Sequence, residues 1–343
     1  MSEDRPADVR RFQPGIVVDT HVHSADFLPG YAATVFRWVN RRTAPPLFYF
    51  DQLATAGVDV IVANAVGDWP ATAWWGQSPW RAVERQFSRI RAQAEQQRVA
   101  MAMSAREVEH AFASHQPAVL LGLEGGNPIG TNLQRVNDLF QLGVRLMTPV
   151  HLLDNQIGTT CMPWQQYVGG LPAPRRSSRG LTVFGRKVIA RMNSLGMLID
   201  VSHSDTATLS DIVALTTQPV LATHSGAKKI EDFDRFLSDD DLLGIAGTGG
   251  LIGLWPYRYK GRGAVNVAEL ARHARYIGDL TGPTHLCIGT DINGVPGMMA
   301  GYHGELDVRM IAEELSASGF GADEVQGVMG GNFMRVFAQV LPS

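Results

Sequence analysis

Short apolar runs alternate along the chain with longer segments in which apolar residues recur every three or four positions. The short runs lie near 16–20, 58–65, 98–103, 118–123, 143–150, 197–201, 219–223, 250–254 and 285–290. Their length and their Val, Ile and Leu content predict strands buried on both faces. The longer segments predict helices near 46–56, 80–97, 105–114, 131–141, 181–195, 205–215, 266–279, 306–318 and 331–340. Strand and helix in regular alternation predict a parallel sheet. Three stretches interrupt the pattern and read as long loops. They are 24–45, with Phe27, Tyr31, Phe36 and Trp38; 66–80, with Trp69, Trp74, Trp75 and Trp80; and 152–180, with the basic run Arg175-Arg176-Ser177-Ser178-Arg179. Each follows a strand. Their aromatics suit two roles, lining or covering a substrate pocket, or packing between helices at the rim.

The carboxyl ends of the strand-like runs carry the chemistry. Gly15-Ile16-Val17-Val18 leads into Asp19-Thr20-His21-Val22-His23-Ser24, and alternate residues of a strand share a face, so His21 and His23 project together. Leu120–Leu123 ends in Glu124, Met197–Val201 leads to His203, Val220–Thr223 ends in His224, and Cys287–Thr290 ends in Asp291. Val144–Val150 adds His151. Polar groups delivered by many different strand ends point to a (β/α)8 barrel enzyme, whose site is built at that face. Nine strand candidates compete for eight places, with 98–103 or 250–254 as the surplus one.

Imidazole and carboxylate donors in this arrangement suit a pair of divalent ions. One would be held by His21, His23 and Glu124, the other by Glu124, His203 and His224, with Glu124 as the bridge. Lysine occurs only at 187, 228, 229 and 260, none at an early strand end, so no carboxylated lysine competes with Glu124 for that place. Zinc is the first choice of metal, with manganese, iron and cobalt also compatible. Asp291 is placed to orient a metal-bridging hydroxide or water and to take its proton. His151 faces the same rim, where it can hydrogen-bond a developing oxyanion. His110, His115, His273 and His285 fall in helical or strand-start positions and are read as ordinary histidines; His303 lies in a late loop.

Composition narrows the classes. The 343 residues are 45% hydrophobic and 18% charged, with a net charge of −3, which gives no case for nucleic acid or an anionic membrane as partner. No apolar run reaches the length of a membrane span. Met1 to Gln13 is polar and lacks a signal-peptide core, and the two cysteines, Cys161 and Cys287, are too few for a disulfide framework. A cytoplasmic protein with free thiols is the expectation. No internal repeat or linker divides the chain, so residues 1–343 are expected to form one barrel domain.

The motifs together resemble the membrane, or renal, dipeptidases of the amidohydrolase superfamily. The resemblance runs from about 16 to 340 and rests on Gly122-Leu123-Glu124-Gly125-Gly126, Gly143–Thr148 leading to His151, Gly180–Gly185 through Met192–Met197 to Asp200-Val201-Ser202-His203, Thr223-His224-Ser225, Gly289-Thr290-Asp291 and Gly330–Val336. It implies a (β/α)8 barrel with two zinc ions that hydrolyses dipeptides and tolerates a D-residue at the C-terminal position, and a homodimer. It implies metal ligation by His21, position 23, Glu124, His203 and His224, acid/base chemistry by Asp291, and a carbonyl contact by His151. It also implies that Arg235 meets the substrate carboxylate. The terminal motif is expected to be structural, with Asn332 and Arg335 anchoring the last helix. Two departures stand out. The family usually has aspartate where this chain has His23, and asparagine after the arginine, where this chain reads Phe236-Leu237-Ser238-Asp239-Asp240. These leave room for a barrel hydrolase of another small amide, an N-acyl amino acid or a lactone. A non-catalytic scaffold is disfavoured by the intact set of site residues.

Overall fold

The computed structural model describes residues 15–69, 72–75, 78–168 and 178–341. The N-terminal stretch 1–13 and Arg175, Arg176 and Ser177 of the basic run lie outside the described residues, as do the side chains of Trp74 and Trp75. Eight parallel strands close on themselves: β1 (Val18–Val22), β2 (Val60–Val66), β3 (Ala118–Glu124), β4 (Val144–Thr148), β5 (Leu198–Asp200), β6 (Val220–Ser225), β7 (Leu251–Leu254) and β8 (Leu286–Ile288). Neighbours in sequence pair in space, and the ring shuts where Asp19 of β1 meets Ile288 of β8. Helices between the strands cover the outside, so the fold is a (β/α)8 barrel.

The surplus strand is 98–103. Only Ala100–Met101 is extended, and it adds to β3 outside the ring, while β2 pairs directly with β3 from Val60↔Ala118 to Val66↔Glu124. The segment 250–254 is a true barrel strand, bonded to β6 and β8.

Besides the five-residue helices Trp164–Val168 and Ala322–Gln326, two longer helices were not expected. Gly30–Val39 lies inside the presumed loop 24–45, and Asp239–Gly247 lies between β6 and β7. The second starts with a reciprocal cap in which Ser238 accepts from the Asp241 backbone and Asp241 from that of Ser238. The loop 66–80 carries a 3₁₀ turn at Thr72–Trp75, and Trp80 already belongs to the helix Pro79–Gln96. No described helix is long and apolar enough to cross a membrane. Among the described residues neither Cys161 nor Cys287 is joined in a disulfide.

The barrel interior is divided along its axis. At the amino ends of the strands, Val18, Val60, Leu120, Leu146, Leu198, Leu221, Leu251 and Cys287, one from each strand, cluster with Phe333, Val336 and Phe337 of the helix Asn332–Val340. That helix plugs the bottom. Asn332 anchors it by donating to the carbonyls of Pro283 and Leu286 (3.0 and 2.8 Å), and Arg335 by donating to those of Gly249 and Thr284. The carboxyl ends of the strands are polar instead, and the candidate site lies there.

Candidate metal and catalytic centre

Glu124, the last residue of β3, is buried and stands at the centre of a ring of imidazoles. Its Oε1 lies 3.0 Å from His203 Nε2, 3.4 Å from His21 Nε2 and 3.8 Å from His224 Nε2. Its Oε2 lies 3.3 Å from His23 Nε2 and 3.4 Å from His151 Nε2. Asp291 Oδ1 approaches His23 Nε2 to 3.2 Å. Thus His21, His23, Glu124, His151, His203, His224 and Asp291, named from strand ends spread along the chain, come together in one buried cluster.

Four of the five rings are held from behind, and only His203 has a buried Nδ1 with no hydrogen-bond partner. His23 Nδ1 sits 3.0 Å from the Asn64 carbonyl, which turns Nε2 inward. His151 Nδ1 sits 2.9 Å from Asp68 Oδ1, and Asp68 Oδ2 accepts the Leu152 N–H at 2.8 Å. Asp68 is fully buried and was missed in the sequence, although a carboxylate two residues beyond the end of β2 is the same signal that picked out Glu124. Asp291 has φ +57° and Asn293 +68°, so the chain after β8 turns through the left-handed region. Gly294 packs against the underside of the site. A Cβ there would fall 2.4 Å from both Asp291 Oδ1 and His23 Cδ2.

Arg235, in the loop after β6, is only 1% exposed and turned inward. It donates to the Ser202 carbonyl, its Nη2 is 3.0 Å from His203 Nε2, and its guanidinium lies over Trp255 at 4.9 Å. Its acidic neighbours face elsewhere: Asp232 and Asp234 toward Lys228, and Glu231 toward Arg262. The remaining histidines stay out of the centre. His273 accepts the Ala227 N–H, His285 contacts the Gly250 carbonyl, and His303 is exposed beside Asp307. His110 and His115 lie at the end of the outer helix Ala105–Ala113.

The electrostatics separate the imidazoles. Burial, with Arg235 nearby, keeps His203 and His224 well below the ordinary histidine range, so both present neutral lone pairs. Burial opposes a charge on His23, but Asp291 and Glu124 outweigh it and raise His23 to about 10. Burial likewise opposes the Glu124 charge, yet His151 and His21 hold its carboxyl well below the usual carboxylate range. His151 is raised, because Glu124 and Asp68 overcome its burial. The centre therefore combines lone-pair donors with carboxylates that call for positive charge. His21 Nε2 and Glu124 Oε1 are buried without a hydrogen-bond partner. That donor set fits divalent metal.

Comparison with known proteins agrees with this architecture. Two crystal structures share the fold: the probable dipeptidase PvdM from Pseudomonas aeruginosa (TM-score 0.79, 19% identity, 95% of each chain covered) and a metallopeptidase from Rhodobacter sphaeroides liganded with a phosphinate mimic of L-Ala-D-Ala (0.78, 19%, 96% of this chain and all of the other). Dipeptidase aclJ of Aspergillus oryzae is 30% identical over 246 residues, 70% of this chain and 56% of its own. Dipeptidase 3 of Rattus norvegicus is 31% identical over 231 residues, 65% of this chain and 45% of its own. The chain spans about half the length of the curated relatives it matches. The profile of the membrane dipeptidases, peptidase family M19, matches residues 52–341, which include Glu124, His151, His203, His224, Arg235 and Asp291; His21 and His23 precede the match. By that match, which takes in most of the barrel, this chain belongs to the membrane dipeptidase family.

Proposed function

We propose that the protein is a metal-dependent dipeptidase that hydrolyses L-L or L-D dipeptides with two divalent ions, zinc by preference. The observation that carries the reading is the convergence of four Nε2 atoms, from His21, His23, His203 and His224, on the buried Glu124 carboxylate beside Asp291. His21, His23 and Glu124 would hold one ion, and Glu124, His203 and His224 the other. Bound there, the pair would supply an activated water and polarise the scissile carbonyl.

The chain's own groups do the rest. Asp291 accepts a proton from the attacking water and returns it to the leaving amine. His151, braced by Asp68, donates a hydrogen bond to the carbonyl oxygen as negative charge grows there. Arg235 offers a planar guanidinium to the substrate carboxylate, fixing the distance from that end to the scissile bond. The dipeptide mimic bound by the Rhodobacter sphaeroides relative supports this substrate class.

The test is a panel of L-L and L-D dipeptides, their C-terminal amides, N-acyl amino acids and lactones, with metal analysis of the same preparation. Turnover of dipeptides by protein holding two ions per chain is expected. Arg235→Ala should raise KM strongly for a dipeptide and far less for its amide. Preference for a lactone or N-acyl amino acid over every dipeptide would transfer the assignment to another small-molecule hydrolase, the reading that His23 in place of aspartate favours.

A further inference from the structure

One hydroxyl lies behind two of the proposed metal ligands. Thr223, in β6, is wholly buried, and its Oγ1 sits 3.1 Å from His21 Nδ1 and 3.0 Å from His224 Nδ1. The same oxygen donates to Asp200 Oδ2 at 2.9 Å. Asp200, at the end of β5, is fully buried and already crowded with donors. It accepts from Thr148 Oγ1 (2.6 Å) and from the backbone N–H groups of Ser202 (3.0 Å) and Thr223 (2.9 Å). The Ser202 hydroxyl also donates to it and accepts the His224 backbone N–H at 3.2 Å.

A hydroxyl has one hydrogen and two lone pairs, and a carboxylate only accepts. A third neighbour, the Ser202 Oγ at 3.1 Å, has given its own hydrogen to Asp200 and has none to donate. With the Thr223 hydrogen also committed to Asp200, the two Thr223 lone pairs are left for two partners. Both partners are imidazole Nδ1 atoms, so each must carry its hydrogen on Nδ1. The lone pair of each ring is thereby forced onto Nε2, the atom that faces Glu124. His21 and His224 belong to different metals in the proposed pair.

We propose that Thr223 is a positioning residue shared by both metal sites: one hydroxyl, polarised by Asp200, selects the binding tautomer and ring orientation of a ligand in each. The inference rests on the two-metal reading above. It makes the two sites interdependent through a group that touches neither ion, in addition to the shared Glu124. Partners behind ligating imidazoles are typically worth about 10–100-fold in metal affinity.

Thr223→Val keeps the shape and removes the hydroxyl, leaving two buried N–H groups against a methyl. Zinc affinity would be measured by chelator competition on folded protein, with stoichiometry, for wild type, Thr223→Val and Thr223→Ser. Wild type should bind two ions. The valine variant should weaken both by about 10–100-fold, and the serine variant should restore them. Both affinities within about twofold of wild type in Thr223→Val, or a loss at one site only, would overturn the shared role while leaving the two-metal reading intact. A wild type binding fewer than two ions would overturn that reading and this proposal with it. A second measurement needs no variant. Nitrogen NMR of the zinc-loaded, ¹⁵N-histidine protein should show His21 and His224 both protonated at Nδ1, and a hydrogen on Nε2 of either would refute the proposal.

Discussion

Asp68→Asn isolates the brace behind His151. Asp68 accepts two hydrogen bonds in a fully buried position, from His151 Nδ1 at 2.9 Å and from the Leu152 N–H at 2.8 Å. Asparagine has nearly the same shape, but one of its two arms is an NH₂ that cannot accept. One donor is therefore left unpaired whichever way the amide turns. A buried unpaired donor costs about 1–3 kcal/mol. If that cost falls on His151 in the transition state, kcat drops roughly 5- to 150-fold, at about 1.4 kcal/mol per factor of ten. Neither metal content nor the Arg235 contact should change, so KM should move little. The pH profile adds a sign. Burial lowers the His151 pKa, but Glu124 and Asp68 together raise it above the ordinary value, and removing the Asp68 charge must lower it. If the protonated ring is the donor to the carbonyl oxygen, the alkaline limb of kcat against pH moves to lower pH in the variant. Steady-state kinetics across pH, with metal analysis, read all three quantities. A kcat within about twofold of wild type and an unmoved alkaline limb would show that Asp68 only ties down the loop at Leu152.

Four further outcomes are expected. Asp291→Asn should be folded and metal-loaded but slower by about 10²–10⁴, and a fall of less than tenfold would remove Asp291 as the proton acceptor. His23→Asp should surrender metal to a chelator more slowly than wild type, because it adds a negative charge beside two cations; the reverse order would show that the His23–Asn64 hydrogen bond governs retention. Gly294→Ala should push Asp291 and His23 apart, since its Cβ falls 2.4 Å from each, and lower kcat by on the order of 10²-fold; unchanged kinetics would mean the turn absorbs the methyl. His273 is depressed to about 4 by burial, from 6.5, so the unfolded chain binds the extra proton between those values. Native stability should therefore fall on acidification from about pH 6.5 to 4, by up to about 3 kcal/mol, and denaturant unfolding of His273→Asn should show a shallower loss over that window.

The strand ends were legible because strands have a strict period: an apolar run that stops at a histidine or carboxylate marks both the strand and the residue it presents. Glu124 and Asp291 were found this way, and so was the cluster around them. Asp68 escaped because Gly67 breaks the run and the next residues read as loop. The roles of 98–103 and 250–254 could not be separated by pattern, since both are apolar; only the direct pairing of Val60–Val66 with Ala118–Glu124 excludes the former from the ring. The helix Gly30–Val39 was hidden by its own surface. Tyr31, Val35, Trp38 and Val39 are exposed, so no polar face marks it. Asp239–Gly247 was obscured by three aspartates and two glycines, though the Ser238–Asp241 cap was readable in advance. Arg235 illustrates the opposite limit. Its acidic neighbours suggest a surface residue, and only the folded loop turns it inward.

The closure between the first and last barrel strands has a consequence for how this protein is made. Asp19 accepts hydrogen bonds from the backbone N–H and hydroxyl of Thr290, a residue 271 positions later, and Asn293 donates to the His23 carbonyl across 270 positions. The imidazole pair emerges from a ribosome long before the aspartate it must face. Loop closure over such a span is slow and entropically costly, so the centre is assembled only when the last strand docks. Ions that bind the finished centre and not its precursors would pull that step forward by mass action. A chain interrupted before Leu286 would lack the strand that closes the ring. Recovery of activity during refolding, which needs Asp291, would accordingly report complete barrel closure, not the earlier gain of helix.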